Sequence, residues 1–271
     1  MANWSSGDVA ANGIKIHYYR TGGDKPPVVL SHGFSDNGLC WTRVAKALEK
    51  DYDLIMPDAR GHGLSDAPKE GYDDENRAAD LVGLIQALGL SRPALIGHSM
   101  GAATTAMTAI RHPERVSCIV LEDPAWFDEN SPRARPRMDF AQIIEQKSQP
   151  LKEIIAFGRK RAPTWDELDL GPWAEAKQQL SPNVVAAMHR KRTPWSEIVP
   201  QIQCPTLLVM GDPEAEASAP AIVTPQVAKQ IAAMNANIRV VRLDGAGHSI
   251  RRMRFEGYVQ TVIEFLAEVY G

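Results

Sequence analysis

A serine set between glycines, Gly97-His98-Ser99-Met100-Gly101, restricts what this chain can fold into more than any other stretch. The apolar run Pro93-Ala94-Leu95-Ile96 leads into it, and a run of small residues from 102 to 110 leads out. That order reads as strand, tight turn and helix, with Ser99 at the apex. Such a turn forces the apical residue into a cramped backbone conformation, and the flanking glycines tolerate the crowding because they lack a Cβ. The hydroxyl is then exposed beside the positive end of a helix, where the next backbone N–H can face a developing oxyanion. A Gly-x-Ser-x-Gly match alone is a weak signal; between a strand and a helix it marks a nucleophile elbow.

The rest of the chain predicts a sheet to carry that elbow. Residues 9–11 and 14–19 flank Asn12-Gly13, a strong hairpin signal. Further strand-like runs follow at 28–30, 52–56, 93–96, 116–121, 206–210 and 238–243. Helical stretches separate many of them, at about 39–49, 73–88, 225–234 and 255–269. In the first, Trp41, Val44, Ala45 and Leu48 share one face, and Gly89 stops the second. This alternation predicts an α/β fold with a doubly wound, mostly parallel sheet of eight strands.

Between Pro124 and about Pro200 the alternation breaks. The segment is helical in character, dense in charge and punctuated by Pro132, Pro136, Pro150, Pro163, Pro172, Pro182 and Pro194. We read residues 1–124 and 201–271 as the core and 125–200 as an inserted helical cap. The aromatics Trp126, Phe127, Phe140, Phe157, Trp165, Trp173 and Trp195 are expected mainly to hold the cap together, with Trp126 beside a substrate pocket. The basic clusters Arg133/Arg135/Arg137 and Arg190/Lys191/Arg192 are expected on solvated faces.

A net charge of −3 gives no electrostatic reason to expect a nucleic acid or an anionic membrane as partner. No run approaches the roughly 18 consecutive apolar residues of a membrane span. Residues 1–8 lack the basic start and apolar run of a secretory signal, so a cytoplasmic location is expected. Cys40, Cys118 and Cys204 are odd in number and far apart, which predicts buried free thiols. No Cys or His falls at metal-ligand spacing, and no metal site is expected.

A serine hydroxyl is a poor nucleophile until a base takes its proton, and that base needs a carboxylate to orient it. Among seven histidines, His248 is the best placed. It ends Asp244-Gly245-Ala246-Gly247-His248, directly after the last strand, and in a parallel sheet the loops after the strands share one edge with Ser99. His98 lies inside the elbow, where packing or support of the pocket is expected. His32 and His62 occupy loops at the same edge and are expected to brace it by hydrogen bonds. His17, His112 and His189 read as surface or structural residues.

Four motifs thus occur in order: His32-Gly33-Phe34, Asp58-x-Arg60-Gly61-His62-Gly63-x-Ser65, Gly97-His98-Ser99-Met100-Gly101 and Gly245-Ala246-Gly247-His248. Together they resemble the α/β-hydrolase superfamily, in the form of a serine esterase or lactonase with a helical cap, over the chain outside that cap. The resemblance implies that the backbone N–H groups of Phe34 and Met100 form the oxyanion hole and that the Phe34 ring walls the acyl pocket. It implies that Arg60 holds a loop edge through ionic contacts, and that no cofactor takes part.

The acid departs from the family's commoner pattern, an aspartate three residues after the glycine that follows the seventh strand. That position holds Glu214, in Gly211-Asp212-Pro213-Glu214. Other members place the acid one strand earlier, about 24 residues beyond the nucleophile, where this chain has Asp123. Asp123 is the expected acid and Glu214 the alternative, with Asp212 and Glu122 also open. The implied reaction is hydrolysis of a small, largely apolar carboxylic ester or lactone through an acyl-enzyme. Serine at the elbow argues against haloalkane dehalogenases and epoxide hydrolases, which need aspartate there. C–C bond hydrolysis, cofactor-free haloperoxidase-like chemistry and a non-catalytic ligand receptor remain alternatives, and the oligomeric state is open.

Overall fold

The computed structural model describes residues 4–127, 140–187, 193–215 and 219–270. Its strands are β1 (Ser5–Ala11), β2 (Ile14–Arg20), β3 (Pro27–Ser31), β4 (Asp53–Pro57), β5 (Ala94–His98), β6 (Ile119–Glu122), β7 (Thr206–Met210) and β8 (Ile238–Arg242). They form one sheet in the order β1-β2-β4-β3-β5-β6-β7-β8. β2 pairs antiparallel with both β1 and β4, and β4, β3 and β5 to β8 are parallel. Asn12 and Gly13 turn the hairpin with φ of 47° and 76°, the left-handed pair that a two-residue turn matched to strand twist demands. Every residue of β4 to β7 is buried, as expected of parallel strands covered on both faces.

The helices are α1 (Thr42–Leu48), α2 (Asp74–Ala87), α3 (Met100–Arg111), α4 (Phe140–Ser148), α5 (Leu151–Arg161), α6 (Glu167–Gln179), α7 (Pro182–Ala186), α8 (Trp195–Ile198), α9 (Pro225–Met234), α10 (Ile250–Met253) and α11 (Phe255–Tyr270). On one face of the sheet, Leu81 and Leu84 of α2, Ala106 of α3 and Ile231 of α9 pack with Val29, Leu95 and Leu121. On the other, Val44 and Leu48 of α1 and Tyr258 and Val262 of α11 pack with Leu30, Ile96 and Val209. The fold is therefore doubly wound, as the sequence predicts.

Two boundaries differ from the periodicity. The stretch expected as one helix at 39–49 divides into a 3-10 turn (Gly38–Trp41) and α1. Gly38 N–H donates to Asp58 Oδ1 (2.7 Å), and a Cβ on Gly38 would lie 2.4 Å from Met56 O, so the entry is drawn tightly against β4. The strand expected at 116–121 runs instead as Ile119–Glu122, and its ladders with β5 and β7 both begin at Ile119.

Helices α4 to α8 lie between β6 and β7. Trp173 and Ile154 bury together with Cys40 of the core, and Phe157 and Trp165 pack against them. Trp126 and Trp195 instead join the large cluster around α3 and α9. The basic clusters Arg133/Arg135/Arg137 and Arg190/Lys191/Arg192, and His189, fall outside the described residues. Cys40, Cys118 and Cys204 are free and buried. Among the described residues no group of His, Cys, Asp and Glu could hold a metal ion, and no helix is long and apolar enough to cross a membrane.

Candidate active site

Ser99 leaves β5 with φ 53° and ψ −113° and caps the N-terminus of α3. This left-handed backbone costs an L-residue of order 1–3 kcal/mol and persists only where the surroundings over-determine it. They do so here. Ser99 N–H donates to Glu122 O (3.0 Å) on β6, and its own carbonyl accepts from Ala103 and Ala125 (3.1 Å each). The glycines are obligatory: a Cβ on Gly97 would lie 2.4 Å from Gly101 O, and one on Gly101 would lie 2.1 Å from Ser31 O.

The next strand supplies the carboxylate. His98 of β5 pairs in register with Glu122 of β6, so Ser99 and Asp123 leave the sheet side by side. Asp123 is fully buried, and its carboxylate lies 2.5 Å from Nδ1 of His248. Two backbone donors of the loop after β7 also point at it: Ile222 N–H (2.8 Å to Oδ2) and Val223 N–H (2.9 Å to Oδ1). An acceptor this well supplied holds the imidazole in the tautomer whose Nε2 is free to take a proton. The other candidates point elsewhere. Glu214 is exposed, with its N–H on Asp212 Oδ1; Asp212 lies 3.5 Å from Arg242; Glu122 is buried against Arg251.

His248 is placed by contact between the loops after β7 and β8. Asp212 N–H donates to Ala246 O (2.6 Å) and His248 N–H to Ala219 O (2.8 Å). From the elbow side, His98 Nε2–H donates to the His248 carbonyl (3.0 Å), with the two rings 4.7 Å apart. Burial, reinforced by Arg251, keeps the His98 pKa well below the ordinary histidine value, so this support is neutral. Its Nδ1 is packed over Gly33, whose Cβ, if present, would lie 2.6 Å away.

The loops after β3 and β4 complete the edge. His32 Nε2 accepts from Ala59 N–H (2.9 Å), which leaves Nδ1–H to donate to Gly33 O (2.8 Å), just ahead of Phe34. His62 Nδ1–H donates to Arg60 O (2.9 Å) and its ring meets Phe34 edge-on at 6.1 Å. Burial, with His32 beside it, lowers His62 to about 3. Phe34 is half-buried against Tyr72, Leu180 and Val184. Met100 is buried at the first position of α3. Arg60 pairs through two nitrogens with Asp80 of α2 and holds the loop after β4. Trp126 is buried just beyond Asp123. The His17 ring bonds Asp8 on the opening hairpin while its backbone is held to Asp58 and Ser65 of the loop after β4, and His112 lies near Glu114 at the far end of α3.

Sequence reasoning does not find the buried charge cluster behind the loop after β3. Asp36 accepts from Arg252 (3.0 Å) and Arg251 (3.3 Å), with Lys177 of α6 at 3.6 Å. Glu122 accepts from both the backbone N–H (2.9 Å) and the guanidinium (3.0 Å) of Arg251. Burial pushes the Asp36 carboxyl up, but Arg252, Lys177 and Arg251 outweigh it and hold it below the carboxylate range. The only local signal is an arginine pair following a candidate base. Partners more than a hundred residues away carry no periodicity.

A family model described as alpha/beta hydrolase fold matches residues 26–250. The chain is 28% identical over 269 residues to N-formylmaleamate deformylase of Pseudomonas putida, covering 97% of this chain and 96% of that one. It is 26% identical over 260 residues to 2-(acetamidomethylene)succinate hydrolase of Mesorhizobium japonicum, covering 91% and 90%. A solved structure of N-formylmaleamic acid deformylase from Pseudomonas putida S16 superposes with a TM-score of 0.82 at 25% identity, covering 95% of this chain and all of that one.

Proposed function

The chain belongs to the α/β-hydrolase fold family, and on that premise we propose that it is a serine hydrolase passing an acyl group from a small substrate to water. The observation that carries the reading is the carboxylate of Asp123 set 2.5 Å from His248 Nδ1, just past the strand next to a strained serine elbow. In this reading His248 takes the Ser99 proton as Ser99 attacks the substrate carbonyl, and Asp123 orients the imidazole and stabilises its charged form. The N–H groups of Phe34 and Met100 hold the oxyanion. His248 then protonates the leaving group, and next deprotonates the water that clears the acyl-enzyme. Residues 125–200 act as a cap that selects the substrate, and the enzyme works in the cytoplasm.

Carboxylic esters and lactones are the proposed substrates. A second reading, hydrolysis of an N-acyl bond, is favoured by the names of the two relatives matched over nearly their full length. Turnover of p-nitrophenyl acetate and butyrate, a γ-lactone, and N-formyl and N-acetyl amides separates the two. Ser99→Ala is expected to lower whichever activity is found by at least about 10⁴-fold. Absence of Ser99-dependent turnover on every member of the panel overturns the proposal.

A further inference from the structure

We propose that Lys177 is a positioning residue for the oxyanion hole: reaching from α6, it holds Ser35 in a left-handed conformation and so fixes the direction of the Phe34 N–H. The inference rests on the acyl-transfer reading above and adds a condition to it. The hole is complete only while the helical segment between β6 and β7 is seated.

Asp36 N–H donates to Gly33 O (3.2 Å), closing a turn with Phe34 and Ser35 at its centre. Ser35 has φ 62°. At the third position of a turn, positive φ is ordinarily left to glycine, because a Cβ there is strained. The strain needs an outside hold, and Lys177 supplies one. Its Nζ donates to the Ser35 carbonyl (2.6 Å) and to Ser35 Oγ (2.9 Å), fixing both sides of the residue that follows Phe34. The same helix grips the loop again where Asn37 Nδ2 donates to Gln179 Oε1 (2.9 Å). The Trp173 ring, 4.7 Å from the ammonium, backs it from one turn earlier in α6.

Stabilisation of the fold does not account for this lysine. Its side chain is only 5% exposed, and burial lowers its pKa from 10.5 to about 8, Asp36 offsetting part of the shift. Between those values the unfolded chain binds the proton and the folded chain does not, so stability rises with pH as the charge is lost. A buried ammonium is thus a cost to folding, and what it provides is the loop geometry. The groups facing it do not titrate nearby. Asp36 in the loop stays ionised and burial pushes the Cys40 thiol up to about 12, while Arg252 of α10 and Arg161 of α5 face the lysine as like charges.

The test measures kcat and KM for p-nitrophenyl acetate from pH 6 to 10, and affinity for a phenylboronic acid that forms a tetrahedral adduct with Ser99. The proteins are wild type, Lys177→Met, and Lys177→Met combined with Ser35→Gly. Lys177→Met is expected to lower kcat about 10- to 100-fold, less than the roughly 100- to 1000-fold of losing a donor outright. KM should stay within about threefold, the boronate should weaken in parallel with kcat, and the melting temperature should not fall. Adding Ser35→Gly, which relieves the strain, should return at least about fivefold of kcat. Wild-type kcat should decline above about pH 8, and that decline should be missing from Lys177→Met. Wild-type kcat and boronate affinity in Lys177→Met, or a loss that tracks unfolding and ignores Ser35→Gly, overturns the inference while the acyl-transfer reading stands. Wild-type protein that neither turns over ester nor binds boronate overturns both.

Discussion

Two buried charge arrangements flank the elbow, built from neighbours in sequence but opposite in design. Asp123 and His248 form one; Glu122, Arg251, Arg252, Asp36 and Lys177 form the other. Glu122 and Asp123 are adjacent and His248 and Arg251 are three apart, yet each pair is separate. Glu122 is the last residue of β6 and Asp123, just past it, turns away with φ 39°, so the two side chains take different directions. The first arrangement has one carboxylate and one imidazole. The second is over-determined, with an Arg251 guanidinium whose charge burial opposes and Glu122 and Asp36 sustain above the ordinary arginine pKa. The group proposed to move a proton has a single side-chain partner, while the scaffold behind it has several.

The sharpest way to break the comparison is to neutralise each carboxylate in turn. Asp123→Asn is expected to lower kcat by about 10⁴-fold through a misoriented His248, while Glu214→Gln stays within about twofold. Steady-state assays that found Asp123→Asn near wild type would remove Asp123 from the mechanism. Glu122→Gln should do the reverse, leaving the Asp123–His248 pair in place but stripping Arg251 of one buried counter-charge. Breaking such a pair costs about 3 kcal/mol or more, readable as a lower urea midpoint, and an unshifted midpoint would refute the scaffold role.

Acid should expose a smaller effect, again on the scaffold. His62 is held at about 3 in the fold against an ordinary 6.5, so from pH 6.5 downward the unfolded chain binds a proton that the folded chain refuses. The stability associated with neutral His62 is therefore present above 6.5 and is lost as pH falls, by up to about 1.4 kcal/mol per pH unit. Denaturation at pH 7, 6 and 5 should show a shallower decline for His62→Gln than for wild type. Equal slopes would mean that His62 is not held neutral by its burial.

Much of this was legible locally. The hairpin at Asn12-Gly13, the strand at 206–210, the helix at 225–234 and the elbow each announce themselves within ten residues, because turn chemistry and periodicity are short-range. The 3-10 turn at Gly38 and the late start of β6 were not, because each depends on contacts with residues more than ten positions away. His32 and His62 could be named as braces from their loops, but their partners could not. Nothing in the residues around Arg251 and Arg252 marks them for burial, and only three dimensions set them against Asp36.

The sequence by itself determined the serine proposed as nucleophile, the strand-to-helix turn that strains it, the sheet beneath it and the histidine after the last strand. These depend on backbone conformation and side-chain period, which neighbouring residues set. Only the tertiary structure decided which carboxylate meets that histidine. The loop after β7 turns back and gives two N–H groups to Asp123 instead of offering Glu214 to His248. It also decided that a lysine of the helical segment, 142 residues from Ser35, anchors the loop beside the elbow. Contacts of that range are selected by the packing of whole layers, and no local pattern of residues encodes them.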